Sequence, residues 1–462
     1  MSSLIFSLFS KLGLFLVSAG IGVVAYFLFA GTSSRAGYEA SENVIAIPAV
    51  ESRLQIPMEA ALLAKTQFPV DLSGDAYGVL YVLQQDGKVI RIGNEGTHMK
   101  VSTEYADLAD GQTDRELGFS AIAFHPEFLV RESKGYGKFY VVVSEKARTR
   151  LPDFIPEFGF GPETHQDVLY EYKTKFPRAS NFKGSRREVM RFSQPGRENN
   201  VCSLTFDPFG HLFVAVGDGA EEDIESRSPS KNASSLNNVY GKVLRIDPMG
   251  HNSLNGKYGI PLTNPFQLVS DALPELWAYG LRSPHSLSFD PFQRNLLIGE
   301  SDRKGLEKVN MSEYGGEHFG WDLMHGRGLF SLVSSSQLAG VITEPTFSLD
   351  RCSQAMGGNA GNYVYRGEDF PSLAGRLVVA NESGDLIVSA PDTVGRLQVI
   401  DPEILAGKKI RALRTTPTGE LVVLSQDGSI LELRKPETPS EGSWKRKPLW
   451  AFHGETAAAP RS

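Results

Sequence analysis

Three groups of residues in this 462-residue sequence have types and spacing that could support chemistry. Asp218 and Glu221–Asp223 form a short acidic turn, and carboxylates bind hard cations such as Ca2+. An exposed charged loop has the same composition, and the sequence favours that interpretation. Cys202 and Cys352 are the two cysteines, too few for a disulfide framework or a cysteine-rich zinc site. His285 could act as a base near neutral pH, although a loop histidine is more often only solvated or hydrogen-bonded.

The overall composition limits the partners of these residues. The net charge is −7, and the charged residues, 22% of the total, are well mixed along the sequence. Because the sequence has no basic stripe, it predicts no nucleic-acid partner. Glycine is frequent, with 46 residues, and 41% of the sequence is hydrophobic. This combination is typical of an all-β fold with a large core and many tight turns.

The elements that would position these residues are strands joined by tight turns. Val79–Leu83 is an alternating run typical of a strand. The turn residues Gln85-Asp86-Gly87 follow, and Lys88–Ile92 is a second strand-like run. An Asp-Gly pair between two such runs predicts a hairpin, because it tolerates positive φ. The same pattern returns at Leu421–Leu424, Gln426–Gly428 and Ile430–Leu433.

A second sequence motif also repeats along the chain, which indicates a ring of similar units. Phe206–Val214 is matched by Phe289–Ile298, and more loosely by Phe124–Pro126 and Thr416–Gly419. About six such units between roughly residues 70 and 436 predict a closed six-bladed β-propeller. A solenoid or a pair of β-sandwiches is the alternative. Residues 146–188 are rich in Pro, Phe and charges, and predict an elaborated loop around one strand.

The N-terminus predicts a membrane anchor. Leu12–Ala30 contains no charge and is long enough to span a bilayer as a helix. A cleaved signal peptide is the alternative, but Leu28-Phe29-Ala30 is a poor cleavage site. The predicted layout is a stub and transmembrane helix (1–35), a linker and outer strand (36–74), the propeller (75–436) and a disordered tail (437–462). We expect the propeller on the periplasmic or extracellular/lumenal side of the membrane.

A set of sequence motifs, in a fixed order along the chain, resembles the motifs of a known family. Phe119–Phe128 followed by Gly137–Val141 resembles the early blade of the soluble quinoprotein glucose/sorbosone dehydrogenases and of hedgehog-interacting-protein-like propellers. Other phrases continue in the same order: Gly241–Pro248, Tyr258–Pro261, Asn264–Phe266, Tyr279–Pro284, Glu307–Asn310, Phe319–Trp321 and Tyr363–Gly367. The resemblance covers roughly residues 75–434 and implies the same six-bladed propeller.

The resemblance also implies an oxidoreductase with an altered site. Such enzymes hold pyrroloquinoline quinone (PQQ) beside a Ca2+ in the mouth of the propeller, and a histidine takes the proton of the sugar hydroxyl. Asn199 occupies the position of that histidine. Because an amide accepts no proton at useful pH, the resemblance implies little or no aldose oxidation. His285, three residues after Arg282, is a candidate for a relocated base.

The cofactor and metal positions of the family are partly retained. Arg282 matches the family's arginine beside the quinone, and Lys409 and Arg411 match a pair that grips the cofactor carboxylates. The lysine expected near Asn381–Ser383 is absent. The family's carbonyl pair for Ca2+ corresponds to Asp302 and Arg303, after Glu300. The alternative is that these three residues form an ordinary solvated loop. A salt network in the mouth is the alternative role for the three cations.

The resemblance places both cysteines near the same mouth. Cys202 lies three residues after Asn199, where the family has a small residue beside the cofactor mouth, and Cys352 lies just before Gly357–Gly361, which resembles a loop of the fifth blade. A disulfide between them is therefore a hypothesis for an oxidising compartment. Two unrelated thiols are the alternative.

Two functions remain open from the sequence. The first is a membrane-anchored, PQQ- and Ca2+-dependent oxidoreductase acting on an aldose or a related alcohol. The second is a non-catalytic propeller that binds a carbohydrate or protein partner. Asn199 favours the second function, whereas Arg282, Lys409 and Arg411 favour the first.

Overall fold

The computed structural model describes residues 50–94, 100–114, 116–157, 162–198, 200–219, 232–301, 306–321, 324–325, 328–329, 342–350, 359–389, 397–400 and 402–436. The chain divides into two units, 1–44 and 45–462, and all of the described residues belong to the second. The predicted membrane helix and the predicted tail lie outside the described residues. Within those residues, no helix has the length and apolar character required to cross a bilayer.

The described part of the chain consists of strands and two short 3₁₀ helices, Pro371–Leu373 and Pro402–Leu405. The strands are β1 (Val50–Leu54), β2 (Glu59–Lys65), β3 (Pro69–Gly74), β4 (Leu80–Gln84), β5 (Lys88–Asn94), β6 (Lys100–Asp107), β7 (Phe119–Phe124), β8 (Lys138–Lys146), β9 (His165–Thr174), β10 (Gly184–Gln194), β11 (Val201–Phe206), β12 (Leu212–Val216), β13 (Lys242–Ile246), β14 (Leu276–Tyr279), β15 (Ser283–Asp290), β16 (Asn295–Ser301), β17 (Leu306–Ser312), β18 (Met324–His325), β19 (Gly328–Leu329), β20 (Phe347–Asp350), β21 (Asn359–Val364), β22 (Leu377–Asn381), β23 (Leu386–Ser389), β24 (Leu397–Ile400), β25 (Ile410–Thr415), β26 (Leu421–Ser425) and β27 (Ser429–Arg434).

These strands form six blades, which confirms the predicted all-β, six-bladed propeller. Blade 1 is β3–β6, blade 2 is β7–β10, blade 3 is β11–β14, and blade 4 is β15, β16, β17 and β20. Blade 5 is β21–β24 and blade 6 is β25–β27 with β2. The innermost strands β3, β7, β11, β15, β21 and β25 each contact the next, and β25 contacts β3, so the ring is closed. Strands β18 and β19 form a separate small hairpin.

Two strands that precede blade 1 complete the outer edges of other blades. β2 pairs antiparallel with β27, so blade 6 combines the beginning and the end of the described chain. β1 pairs parallel with β24 and covers the edge of blade 5. Pairing an edge strand satisfies its backbone groups and removes a site for aggregation. Residues 36–74, predicted as linker and outer strand, therefore include β1, β2 and the innermost strand of blade 1.

The repeated motif of Phe206–Val214 and Phe289–Ile298 forms the turn between the first and second strands of a blade. In blade 3, Asp207 Oδ1 accepts hydrogen bonds from the backbone N–H groups of Phe209 and His211, both at 2.9 Å. In blade 4, Asp290 Oδ1 accepts from the N–H of Phe292 at 3.2 Å. Gly210 has φ +85°, a conformation that favours glycine. The repeat therefore encodes a turn capped by an aspartate.

The core lies between adjacent blades and is rich in stacked aromatic rings. Tyr81 of blade 1 stacks on Phe124 with ring centroids 4.1 Å apart, and Phe124 stacks on Phe139 at 4.9 Å. Phe139 stacks on Tyr172 at 5.2 Å. All four side chains are buried, and such pairs add about 0.5–1.5 kcal/mol each beyond their buried area. This column fixes blade 1 against blade 2.

Candidate functional site

The six innermost strands surround the axis of the propeller. We call the end of the ring at which these strands begin the mouth. Each of the six innermost strands has one extra residue there, at which the pairing register with the second strand shifts. We call these residues the mouth ring: Val70, Ser120, Cys202, His285, Ala360 and Arg411. Bulges of this kind re-aim side chains and are frequent next to active sites. Three residues that the sequence analysis selected therefore occupy equivalent positions in different blades.

Hydrogen bonds link the mouth ring from blade to blade. The Ser120 hydroxyl donates to the carbonyl of Val201 at 2.9 Å. The Cys202 thiol donates to the carbonyl of Pro284 at 3.2 Å. In both cases the acceptor directly precedes the mouth-ring residue of the next blade. The two bonds therefore join blade 2 to blade 3 and blade 3 to blade 4 at the mouth.

His285 is paired with a buried carboxylate. Its Nε2 lies 3.2 Å from Glu307 Oε2, and the Ser301 hydroxyl donates to Glu307 Oε1 at 2.7 Å. The His285 side chain is 24% exposed, whereas that of Glu307 is 2% exposed. If Nε2–H donates to Glu307, the imidazole Nδ1 carries the lone pair. Within the described residues Nδ1 has no hydrogen-bond partner, so the arrangement can accept a proton in the mouth.

Arg282 is held in a polar framework beside this pair. Its backbone N–H donates to Glu300 Oε2 at 3.0 Å, and its carbonyl accepts from the N–H of Asp218 at 2.8 Å. Its guanidinium carbon lies 5.7 Å from the ring centroid of Trp321, whose indole N–H donates to Asp218 Oδ2 at 2.9 Å. Asp218, predicted as part of an exposed acidic turn, is fully buried and organises this framework. The rest of that turn, Glu221–Asp223, lies outside the described residues.

Lys409 and Arg411 project from the start of β25 and are exposed. The carbonyl of Lys409 accepts hydrogen bonds from the Gln426 N–H at 2.7 Å and the Ser425 hydroxyl at 3.1 Å. The backbone at Lys409 is therefore fixed, and the side chains of both residues are exposed. Two such cations can bind the carboxylates of an acidic ligand.

Cys202 carries a free thiol in this structure, and the Cys202–Cys352 disulfide stays a hypothesis. Cys352 lies outside the described residues. Burial raises the pKa of the Cys202 thiol to about 12, and Asp167 acts in the same direction. The positive charge of Arg411 acts against this shift. The side chain is thus a neutral hydrogen-bond donor and a poor nucleophile.

Glu300 is engaged by the protein itself. Its carboxylate is fully buried and accepts from the Arg282 N–H, from the Lys308 ammonium at 2.8 Å and from the Asn310 amide at 2.9 Å. Asp302 and Arg303, predicted with it as a Ca2+ site, lie outside the described residues, as does Asn199. Where the structure describes the chain, no three His, Cys, Asp or Glu side chains converge in a geometry for a metal ion.

The structure also identifies polar residues that sequence reasoning missed. Asp167 is 1% exposed, and its Oδ2 accepts from the Val201 N–H at 3.0 Å and from the Gln194 amide at 2.8 Å. Its Oδ1 accepts from the Ser144 hydroxyl at 2.7 Å. Asp167 thus anchors the strand that carries Cys202. The sequence signal that could have identified it is its place at the start of the strand-like run within residues 146–188. That segment was predicted as an elaborated loop around one strand, and it contains β9 and part of β10.

Comparison with known proteins adds relatives of two kinds. The chain is 29% identical over 232 residues to the aldose sugar dehydrogenase YliI of Escherichia coli (strain K12), covering 49% of this chain and 57% of that protein. It is 26% identical over 333 residues to the HIPL1 protein of Arabidopsis thaliana, covering 63% and 46%. It is 25% identical over 358 residues to the Hedgehog-interacting protein of Mus musculus, covering 75% and 44%. The chain therefore spans about half the length of the curated relatives it matches.

Solved structures share the fold. The apo soluble aldose sugar dehydrogenase from Escherichia coli has a TM-score of 0.58 and 20% identity, covering 82% of this chain and 99% of that one. The PQQ-bound aldose sugar dehydrogenase from Streptomyces coelicolor has a TM-score of 0.55 and 17% identity, covering 84% and 99%.

The sequence profile of the family described as Glucose / Sorbosone dehydrogenase matches residues 67–432, from the segment before blade 1 into the last strand of blade 6. This range contains the whole mouth ring and every described residue of the candidate site. The resemblance inferred from the ordered phrases is confirmed. This chain belongs to the glucose/sorbosone dehydrogenase family.

Proposed function

We propose that the protein is a sugar dehydrogenase-like oxidoreductase that binds PQQ in its mouth and slowly oxidises an aldose or a related alcohol. The observation that carries this proposal is the pairing of the partly exposed His285 with the buried Glu307, 3.2 Å apart in the mouth ring. Asn199 cannot serve as a base, so His285 would replace the family's histidine from a different blade.

The described residues fit an acidic quinone in part. Lys409 and Arg411 are exposed, and the backbone of Arg282 is positioned by its contacts with Glu300 and Asp218. These three cations would hold the carboxylates of PQQ, which when bound supplies the acceptor for the hydride. His285 Nδ1 would take the hydroxyl proton, and the carboxylate of Glu307 would stabilise the resulting imidazolium.

A Ca2+ ion fits only part of the predicted metal site. Glu300 does not fit as a ligand, because its oxygens already accept from an ammonium, an amide and a backbone N–H. The proposal therefore retains only the backbone carbonyls of Asp302 and Arg303, since carbonyl oxygens are suitable Ca2+ ligands.

The same proposal includes the location of the protein. The uncharged Leu12–Ala30 segment supports a single N-terminal membrane anchor, with the propeller on the periplasmic or extracellular/lumenal side. Protease treatment of intact cells or spheroplasts tests it, because an exposed propeller is digested there and a cytoplasmic one is protected.

A second candidate function is non-catalytic binding of a carbohydrate or protein partner. Asn199 favours it, because the family's catalytic position then carries no base. The similarity to a protein named Hedgehog-interacting protein is consistent with such a role.

One experiment separates these functions. The full-length protein is titrated with PQQ and Ca2+ by calorimetry, and then assayed with an aldose panel and a dye as electron acceptor. We expect PQQ binding that Arg411→Gln weakens, and slow turnover that His285→Asn abolishes without loss of binding. Arg131→Gln, an exposed arginine between β7 and β8 at the end of blade 2 opposite the mouth, is the matched control for Arg411. Binding without turnover selects the second function, and absence of PQQ binding rejects the first.

A further inference from the structure

A pocket of about 500 Å³ lies away from the mouth, at the opposite end of blade 2. Its lining includes Lys134, Tyr136, Lys138, Lys173, Met249 and His251. Lys138 is the first residue of β8 and Lys173 is the penultimate residue of β9, whereas the mouth lies where β8 ends and β9 begins. The pocket is therefore distinct from the candidate site for PQQ.

Two lysines of this pocket lie directly opposite each other. Lys138 and Lys173 are paired residues of the antiparallel strands β8 and β9. Paired residues of this kind project from the same face of a sheet, with Cβ atoms about 4.5–5.5 Å apart, and like charges there are destabilising. An anion bound between the two ammonium groups would remove that repulsion.

The floor of the pocket has more cations than carboxylates to pair with them. Lys138 Nζ lies 3.3 Å from Glu171 Oε2 and 3.0 Å from the sulfur of Met249, which is a weak acceptor. Arg187 already binds Glu171 through two hydrogen bonds of 2.9 and 2.8 Å, and Tyr140 donates to the same carboxylate at 2.6 Å. Glu171 is thus shared, and the ammonium of Lys138 retains hydrogen-bonding capacity toward the pocket.

The rim adds further positive charge. Lys134 and Lys173 are exposed, and neither forms an ion pair with any described residue. Glu132 is the one carboxylate in the lining, against three lysines. Burial lowers the pKa of Lys138, and the charges of Arg187 and Lys173 contribute in the same direction against Glu171. The phenol of Tyr136 and the thioether of Met249 provide a less polar wall.

We propose that this pocket binds a tetrahedral oxyanion, a phosphate or sulfate group carried by a small molecule. Lysines act as point charges and accommodate such a group without the planar geometry that an arginine fork requires. A pocket of about 500 Å³ also leaves space for the sugar-sized remainder of an ester.

The test is a calorimetric titration of the full-length protein with inorganic phosphate, and separately with inorganic sulfate, at constant ionic strength set with sodium chloride. We expect saturable binding with one anion per chain. Tighter binding of phosphate identifies a phosphate ester as the natural ligand class, and equal or tighter binding of sulfate identifies a sulfate ester. Constant ionic strength is required because general screening would otherwise imitate binding.

Matched variants locate the binding site. Lys138→Gln and Lys173→Gln should each weaken the binding about tenfold to a hundredfold, the range for a hydrogen bond to a charged group. Lys173 has no ion pair within the described structure, so its variant should fold normally even if Lys138→Gln does not. Lys175→Gln, an exposed lysine two residues away and outside the pocket, is the control and should bind like the wild type. Absence of saturable binding by either anion, or equal weakening in Lys173→Gln and Lys175→Gln, overturns the proposal.

Discussion

Replacing Glu300 by glutamine should destabilise the propeller strongly, although it changes one oxygen to nitrogen. Glu300 is fully buried, and the Lys308 ammonium that it pairs with at 2.8 Å is only 2% exposed. Removing one partner of a buried ion pair typically costs about 3–5 kcal/mol, because the remaining charge is left uncompensated. The amide oxygen can still accept from the Arg282 N–H, so we expect about 3 kcal/mol. That is a large fraction of the ~5–15 kcal/mol typical of a folded protein.

The measurement is guanidinium chloride unfolding at neutral pH, followed by tryptophan fluorescence and far-ultraviolet circular dichroism. Coincident transitions justify a two-state free energy of unfolding. The control is Lys88→Gln, which breaks the exposed Lys88–Glu104 pair and should cause no measurable loss. The double variant Glu300→Gln/Lys308→Met keeps an acceptor for the Arg282 N–H, removes both charges and should recover most of the stability.

The reasoning is refuted if Glu300→Gln loses less than about 1 kcal/mol, or if the double variant is less stable than the single one. The first result would mean that water reaches the pair and screens the charge of Lys308. The second would mean that the polar network itself, rather than charge compensation, determines the stability of this site.

Three further predictions concern catalysis, pH and the thiol. If PQQ binds, Asn199→His should raise dye-linked aldose oxidation by about 10²–10⁴-fold, and an unchanged rate would contradict the assigned position. Burial acts to raise the pKa of Glu171, but hydrogen bonds from Arg187 and Tyr140 leave it lowered, so the carboxylate stabilises the fold above its unfolded pKa of about 4.3. The stability difference between wild type and Glu171→Gln should therefore close as the pH falls below 4.3 through the lowered value, and a constant difference in denaturant titrations would disprove this. Since its environment raises the pKa of the half-buried Cys202 to about 12, a thiol reagent at pH 8 should modify it far more slowly in native than in unfolded protein, and equal rates would contradict the raised pKa.

The sequence contained enough local information to predict the blades. Each hairpin is determined by residues close together in the chain, such as Gln85–Gly87 with Gly87 at φ +97°, so the pattern is visible without tertiary structure. The six repeats then imply the ring. By contrast, the parallel pairing of β1 with β24 joins segments more than 300 residues apart, and no local pattern specifies that contact.

The site could be predicted only as a set of positions. The match to the family's motifs identified Arg282, Lys409 and Arg411 as candidate site residues. It could not show that Glu307 lies beside His285 or that Lys308 neutralises Glu300. Those contacts depend on how neighbouring strands pair and where the bulges fall. Asp218 was misassigned for the same reason, because its hydrogen-bond partners Arg282 and Trp321 lie far from it in the chain.

Blade 6 has a consequence for the order in which the chain can fold during synthesis. Its outer strand β2 pairs with β27, and the Glu59–Arg434 contact joins residues 375 positions apart. β2 leaves the ribosome before β3–β27 and has no partner until nearly the whole ring has been made. Closing so long a loop is entropically costly and slow. During translation the nascent chain therefore exposes an unpaired strand edge, and we expect it to depend on chaperones that shield such edges until the last blade emerges.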